Sequence, residues 1–187
     1  MGQYRSLLRT ATHAQHRALD QQLAGLDLAR SDCYRSFLEA SAAAVVPLEA
    51  RLDASAVSDH FPDWPQRRRA ELLCEDIAAL GGKIVPLQLA AAPLSTAAMF
   101  GVLYVLEGSR LGARVLLQRV PPSIRARRYL SAGDTTLWPT FLASLETTTL
   151  EVEIALQAAV RTFGLFQQAF ARCLTIEAGH RSSVQVQ

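Results

Sequence analysis

Three glycines on one stripe of a helix constrain this chain more than any other feature. The segment YVLEGSRLGARVL, Tyr104 to Leu116, reads as helix and holds Gly108 and Gly112 four residues apart, with Gly101 seven residues before Gly108. At about 100° per residue all three fall on one stripe. Glycine inside a helix costs roughly 1 kcal/mol relative to alanine, so three on one face need a reason. Close packing against another helix is one reason. A flat ligand lying against bare backbone is the other. The glycine helix alone does not separate them.

Around this segment alanine, leucine and arginine dominate, and apolar residues recur at spacings of three and four. That pattern predicts an all-α fold, a single-domain helical bundle. The chain has 187 residues, half of them hydrophobic, which is enough for one buried core. A first helix is expected from Gln3 to Leu23. A second is expected with Asp32 as its cap and its end near Ala54. Residues 55–65 read as a loop. Pro65 suits the first turn of a third helix that stops at Gly81-Gly82. Residues 83–93 read as an irregular but packed connection. Ser95 caps the glycine helix, and Pro121-Pro122 ends it. A short helix is expected over 123–130, a loop over 131–136, and closing helices over 138–146 and 150–178. Residues 1–178 thus form the domain, and 179–187 a polar, frayed tail.

Composition removes several functional classes. Net charge is +2 with no long block of like charge, so nucleic acid is not an expected partner. No apolar run is long enough to span a membrane, and no signal peptide is expected. Cys33, Cys74 and Cys173 lie far apart, without a CxxC pair, a CxxCH motif or zinc spacing. Reduced thiols and a cytoplasmic location are the expectation. No strand precedes a GxGxxG fingerprint and no P-loop is present. Ser95 and Ser109 lack a His–Asp order that implies a triad, and no Glu-x-x-His pairs of a di-iron bundle occur.

The first helix carries the second informative pattern. With Leu8 at 0° on a helical wheel, Leu19 falls at about 20°, Thr12 at about 40° and Leu23 at about 60°. His16 falls at about 80°, on the edge of this apolar face, with Arg9 at about 100° and Asp20 at about 120° on the same flank. Arg9 precedes His16 by about 10.5 Å along the axis. That matches the reach from a haem iron to its propionates. Asp20, one turn after His16, can accept the ring N–H that the iron does not use and so fix the tautomer. The same residues also make an ordinary histidine at a core edge beside a solvated charged flank.

Taken together, LRTATHAQHRALD from Leu8 to Asp20 and YVLEGSRLGARVL resemble the biliverdin-producing haem oxygenases. The similarity is to the bacterial branch, including members found beside bacteriophytochromes. LLCEDIAALGG, Leu72 to Gly82, and RTFGLFQQAF, Arg161 to Phe170, extend the resemblance. It implies a fold with haem between the first helix and the glycine-bearing distal helix. It implies His16 as the iron ligand, Arg9 as a propionate partner and Asp20 as the acidic neighbour of the ligand. Gly108 and Gly112 match the distal glycines. Tyr104 falls on the same face, where it can meet the haem edge or a propionate. Phe163 matches a pocket aromatic of the last helix, a position that also suits a plain core residue. Ser109 stands where mammalian members have an aspartate that organises distal water, so the polar network here must differ.

The implied reaction opens haem to biliverdin, carbon monoxide and ferrous iron, with haem both substrate and cofactor. A single histidine ligand leaves the sixth iron position open for oxygen. Electrons must come from an external donor of ferredoxin or flavodoxin type, and Arg67-Arg68-Arg69 and Arg125, Arg127 and Arg128 are two basic clusters that can dock it or simply form solvated faces. Two other readings share these residues: a non-catalytic haem carrier or sensor, and a helical enzyme of the thiaminase-like type that does not use haem.

Overall fold

A computed structural model of the chain describes residues 2–90 and 92–184, with side chains up to residue 172. Every regular element among the described residues is helical. The order is α1 (Gln3–Ala24), α2 (Ser31–Asp53), α3 (Val57–His60), α4 (Trp64–Arg67), α5 (Ala70–Ala79), α6 (Thr96–Leu117), α7 (Arg128–Ser131), α8 (Leu137–Thr147) and α9 (Val152–Val184). The long α9 is the spine, with α1, α2 and α6 packed against it. α5 lies on α2, while α7 and α8 lie on α6. The core runs through α2, where Tyr34, Phe37, Leu38, Leu48 and Leu52 are buried around the small residues Ala40 to Ala44.

The long expected helices are present, but α3 lies inside the 55–65 segment expected as a loop, and the helix ends show what the sequence pattern leaves out. α1 begins after Gly2, whose position offers no side-chain cap. The Glu146 carboxylate on α8 supplies it, accepting the backbone N–H of Tyr4 at 3.3 Å and of Arg5 at 2.8 Å. A Cβ at residue 2 would overlap that carboxyl group, so a side chain there would displace the cap. Asp32 is not the cap of α2. It lies inside the first turn and accepts from Cys33 N–H at 2.9 Å and Arg30 Nε at 3.1 Å. The Arg30 guanidinium holds its carboxyl well below the usual range.

Pro47 sits inside α2 and has no N–H to give the carbonyl four residues back. That carbonyl, Ala43 O, accepts from Leu87 N–H at 2.8 Å instead. The irregular 83–93 connection is thereby pinned to the core, with Leu87 buried. The third helix expected from Pro65 is broken in two. Arg68 is extended, at φ −67° and ψ 139°. α5 then starts where the buried Glu49 carboxylate accepts Arg69 N–H at 2.8 Å and Ala70 N–H at 2.9 Å. Its far end closes as expected: Gly81 takes φ 66° and Gly82 N–H returns to Ile77 O at 2.9 Å.

Ser95 does cap α6, accepting from Ala98 N–H at 3.3 Å. The helix ends at Leu117, ahead of Pro121-Pro122. Of the expected short helix over 123–130, only Arg128–Ser131 is helical. α9 continues to Val184, so the segment expected as a tail from 179 is helical that far, and 185–187 lie outside the described residues.

Candidate functional site

The glycine stripe divides by function. A Cβ at Gly101 would collide with the Ala155 carbonyl oxygen and lie 2.8 Å from Ala158 Cβ and 3.0 Å from Ala159 N. Gly101 therefore exists for close packing of α6 on α9. Gly108 and Gly112 do not. A Cβ at 108 would meet only the Trp138 ring, at 3.7 Å and 3.8 Å, and one at 112 nothing within 4 Å. Both line a pocket of about 670 Å³ between α1 and α6. That volume lies within the range of about 300–1,000 Å³ common for ligand sites. Phe37, Phe166 and Phe170 line its interior, and the exposed Leu111 and Val115 its rim.

His16, Arg9 and Asp20 come together on the α1 wall of this same pocket. His16 Nδ1 meets Asp20 Oδ2 directly at 2.8 Å, with both side chains 62% exposed. Nε2 is left without a partner among the described residues, because the Asp20 carboxylate engages Nδ1. Phe163, buried on α9, sets its ring edge-on to the imidazole with centroids 5.7 Å apart. Phe163 is thus both a core and a pocket residue. Arg9 is exposed and takes part in no hydrogen bond or ion pair among the described residues. Tyr104 is half-buried beside Trp138, centroids 5.7 Å apart. Burial pushes the Tyr104 phenol up, against a hydrogen bond with Thr12 and the positive charges of Arg5 and Arg9.

Behind α6 lies a polar assembly that sequence reasoning missed. Glu107, buried, accepts from Arg67 Nη1 at 3.0 Å and from Arg110 Nε at 3.1 Å. Arg67 continues to Asp63 Oδ2 at 2.8 Å, Thr140 Oγ1 at 2.9 Å and Leu137 O at 2.9 Å. Ser109 accepts from Arg69 Nη2 at 2.6 Å. The triplet Arg67-Arg68-Arg69 is therefore no surface patch for a partner. Arg67 and Arg69 are buried, and Arg68 pairs with Asp53 at 3.5 Å. In the other cluster Arg128 pairs with Glu75, leaving Arg125 exposed and Arg127 half-buried. A usable signal existed: Glu49 and Glu107 are lone acids inside apolar runs, and buried charges require partners.

Donors and space fit a flat, mostly apolar ligand that carries a metal and acidic edges. Histidine on one wall, bare main chain at two positions of the other and aromatic side chains in the lining make this a helical bundle built around one ligand-sized, mostly apolar pocket. No protein-family model matches the chain. It is 33% identical over 156 residues to a protein named heme oxygenase from Xanthomonas campestris pv. campestris (strain 8004), covering 79% of this chain and 92% of that one. Its fold matches the NO- and CO-bound heme oxygenase from Neisseria meningitidis with a TM-score of 0.75 at 20% identity, covering 91% of each chain. The chain belongs to the haem oxygenase family.

Proposed function

We propose that the protein binds haem between α1 and α6 and opens the macrocycle to biliverdin, carbon monoxide and ferrous iron. One observation carries this reading. A single pocket has His16 on one wall, with Nε2 unengaged, and the side-chain-free positions Gly108 and Gly112 on the helix that forms the other. Haem, once bound, supplies the iron that activates oxygen, and the chain supplies the surroundings. Asp20 holds the proton on Nδ1, so that Nε2 is the atom presented to the metal. Phe163 fixes the plane of the imidazole. Arg9 is a cation free to meet a propionate, with Tyr104 at the same side of the pocket. Gly108 and Gly112 let the ring approach backbone without a histidine or arginine that would favour peroxidase-type chemistry. Ser109, next to Gly108, is a polar group that lines the same pocket.

Electrons come from an external donor of ferredoxin or flavodoxin type. Arg125 and Arg127 are the remaining basic residues of the two clusters to receive it. A bacteriophytochrome is the consumer of biliverdin that the family resemblance implies. Cytoplasmic location follows from the reduced-thiol reading; among the described residues no helix is long and apolar enough to cross a membrane.

The test is a hemin titration of apo-protein followed by ascorbate or a reductase system under oxygen. A Soret band that gives way to biliverdin absorption is expected. A ferrous–oxygen spectrum that persists without ring opening means a carrier instead. His16→Ala is expected to lose the axial-histidine signature, and an unchanged haem spectrum removes the ligand assignment.

A further inference from the structure

The hydroxyl of Ser109 is spoken for. It donates to Leu106 O at 2.7 Å and accepts from Arg69 Nη2 at 2.6 Å. One oxygen lone pair remains, so toward the pocket Ser109 can accept a hydrogen bond but has no proton left to give. Arg69 enforces this. Its Nη2 also donates to Leu106 O at 2.8 Å, so one nitrogen grips both the serine and the carbonyl that takes the serine's proton.

Arg69 itself is an unusual group to bury. It is 2% exposed and forms no ion pair with a carboxylate among the described residues. Its guanidinium lies 4.9 Å over the Tyr129 ring, and the Glu49 carboxylate binds its backbone N–H instead of its side chain. Nη1 is buried and has no hydrogen-bond partner among the described residues. A buried cation with a spare donor weakens a fold unless something else uses it. Arg67 and Arg110 share Glu107, so that acid does not neutralise Arg69. Tyr129, under the Arg69 guanidinium, lines the pocket together with Ser109.

We propose that Arg69 is a positioning residue for the glycine-walled side of the haem site: it fixes Ser109 as an acceptor toward the pocket and places a positive field behind it. Groups bound against Ser109 must be donors, such as water or a protonated ligand, and negative charge developing on that side of the ring is stabilised by the guanidinium. This rests on the haem reading above.

The ferrous carbon monoxide adduct tests it without turnover. The C–O stretch falls in a positive field and rises when a lone pair faces the ligand oxygen. Arg69→Met is expected to raise the stretch, and Arg69→Lys, which keeps the charge, to return it toward wild type. Ser109→Ala is expected to lower it, because a lone pair is removed. A rise in Ser109→Ala shows that Ser109 donates and overturns the proposal. So does an unchanged stretch in Arg69→Met. If Arg69→Met does not fold, Arg69→Gln replaces it as the charge-removing variant, with the same rise expected and an unchanged stretch overturning the proposal. Wild-type protein that forms no axial-histidine carbon monoxide adduct refutes the haem reading itself, a different result from an adduct with the wrong signs.

Discussion

Gly112→Ala separates the two reasons a helix carries glycine, because stability and ligand binding should move in opposite directions. A methyl group at 112 has open space, with nothing within 4 Å. Alanine is favoured over glycine in a helix interior by about 1 kcal/mol. The apo-protein should therefore gain about 0.5–1 kcal/mol, raising Tm by roughly 1–4 °C for a domain of this size. The same methyl group projects into the pocket against which haem is proposed to lie. A loss of about 1.4 kcal/mol in contact and fit corresponds to a tenfold weaker hemin complex. Gly101→Ala is the control on the same stripe. It gains the same propensity but drives a methyl group into the Ala155 carbonyl and to 2.8 Å from Ala158 Cβ. Overpacking of this kind costs about 1–3 kcal/mol or more, so the net effect is destabilising. Circular-dichroism melts of the apo-proteins and Soret titrations with hemin read both quantities. A Gly112→Ala protein that melts below wild type, or that holds hemin as tightly, refutes the reasoning. A Gly101→Ala protein with an unaltered melt refutes the packing assignment of the first glycine.

Asp20→Asn should weaken the iron–histidine bond, seen as a lower Fe–His stretch in the ferrous Raman spectrum. Apo stability should stay within about 0.5 kcal/mol, because the His16–Asp20 pair is exposed. Arg67→Ala removes one of the two cations on buried Glu107 and also releases Leu137 O and Thr140. A loss of about 3–5 kcal/mol in urea unfolding is expected, and a loss below about 1 kcal/mol would show that the network carries little. Glu49 gives a pH signature. Burial pushes its carboxyl up, against the Arg69 and Ala70 N–H groups and the charges of Arg69 and Arg68. The folded chain then binds more protons than the unfolded chain between the ordinary glutamate value and the raised one. This contribution is complete below the ordinary value and is lost as pH rises through the raised value. Glu49→Gln should flatten that part of the stability profile, and an identical slope in the variant would assign it to another group.

The parts of this molecule legible in sequence are those that a one-dimensional period can encode. Helices α1, α6, α8 and α9 follow apolar spacing, with Ser95 a readable start for α6 and Gly81 a readable stop for α5. The α1 flank of Arg9, His16 and Asp20 is a matter of wheel angle, so it could be drawn before any coordinates. Helix starts set by distant residues could not. Glu146 starts α1, Glu49 starts α5 and the Asp76 carboxylate accepts Tyr129 N–H at 2.9 Å within α7. No local window contains both partners of such a contact. The break at Arg68 has the same origin: Pro65 correctly marks a helix start, but burial of Arg67 and Arg69 on either side overrides continuation.

These hidden contacts explain how α6 tolerates its glycines. At Gly108 and Gly112 the face that lines the pocket has no side chain with which to hold the helix, so part of its anchoring comes from other faces. Gly101 does this toward α9 by permitting backbone contact. On another side Glu107, through Arg67, ties α6 to Asp63 and, at Leu137 and Thr140, to α8. Arg110 links the same acid to the Ala132 carbonyl at 3.3 Å and to Arg67 O. Open space beside Gly108 and Gly112 is thus a consequence of anchoring on other faces. A residue that never touches the pocket, Glu107, bears on its shape because it fixes the rotation of α6 about its own axis. Charge deep in the bundle and bare backbone at the pocket are two parts of one arrangement, the first holding the helix that presents the second.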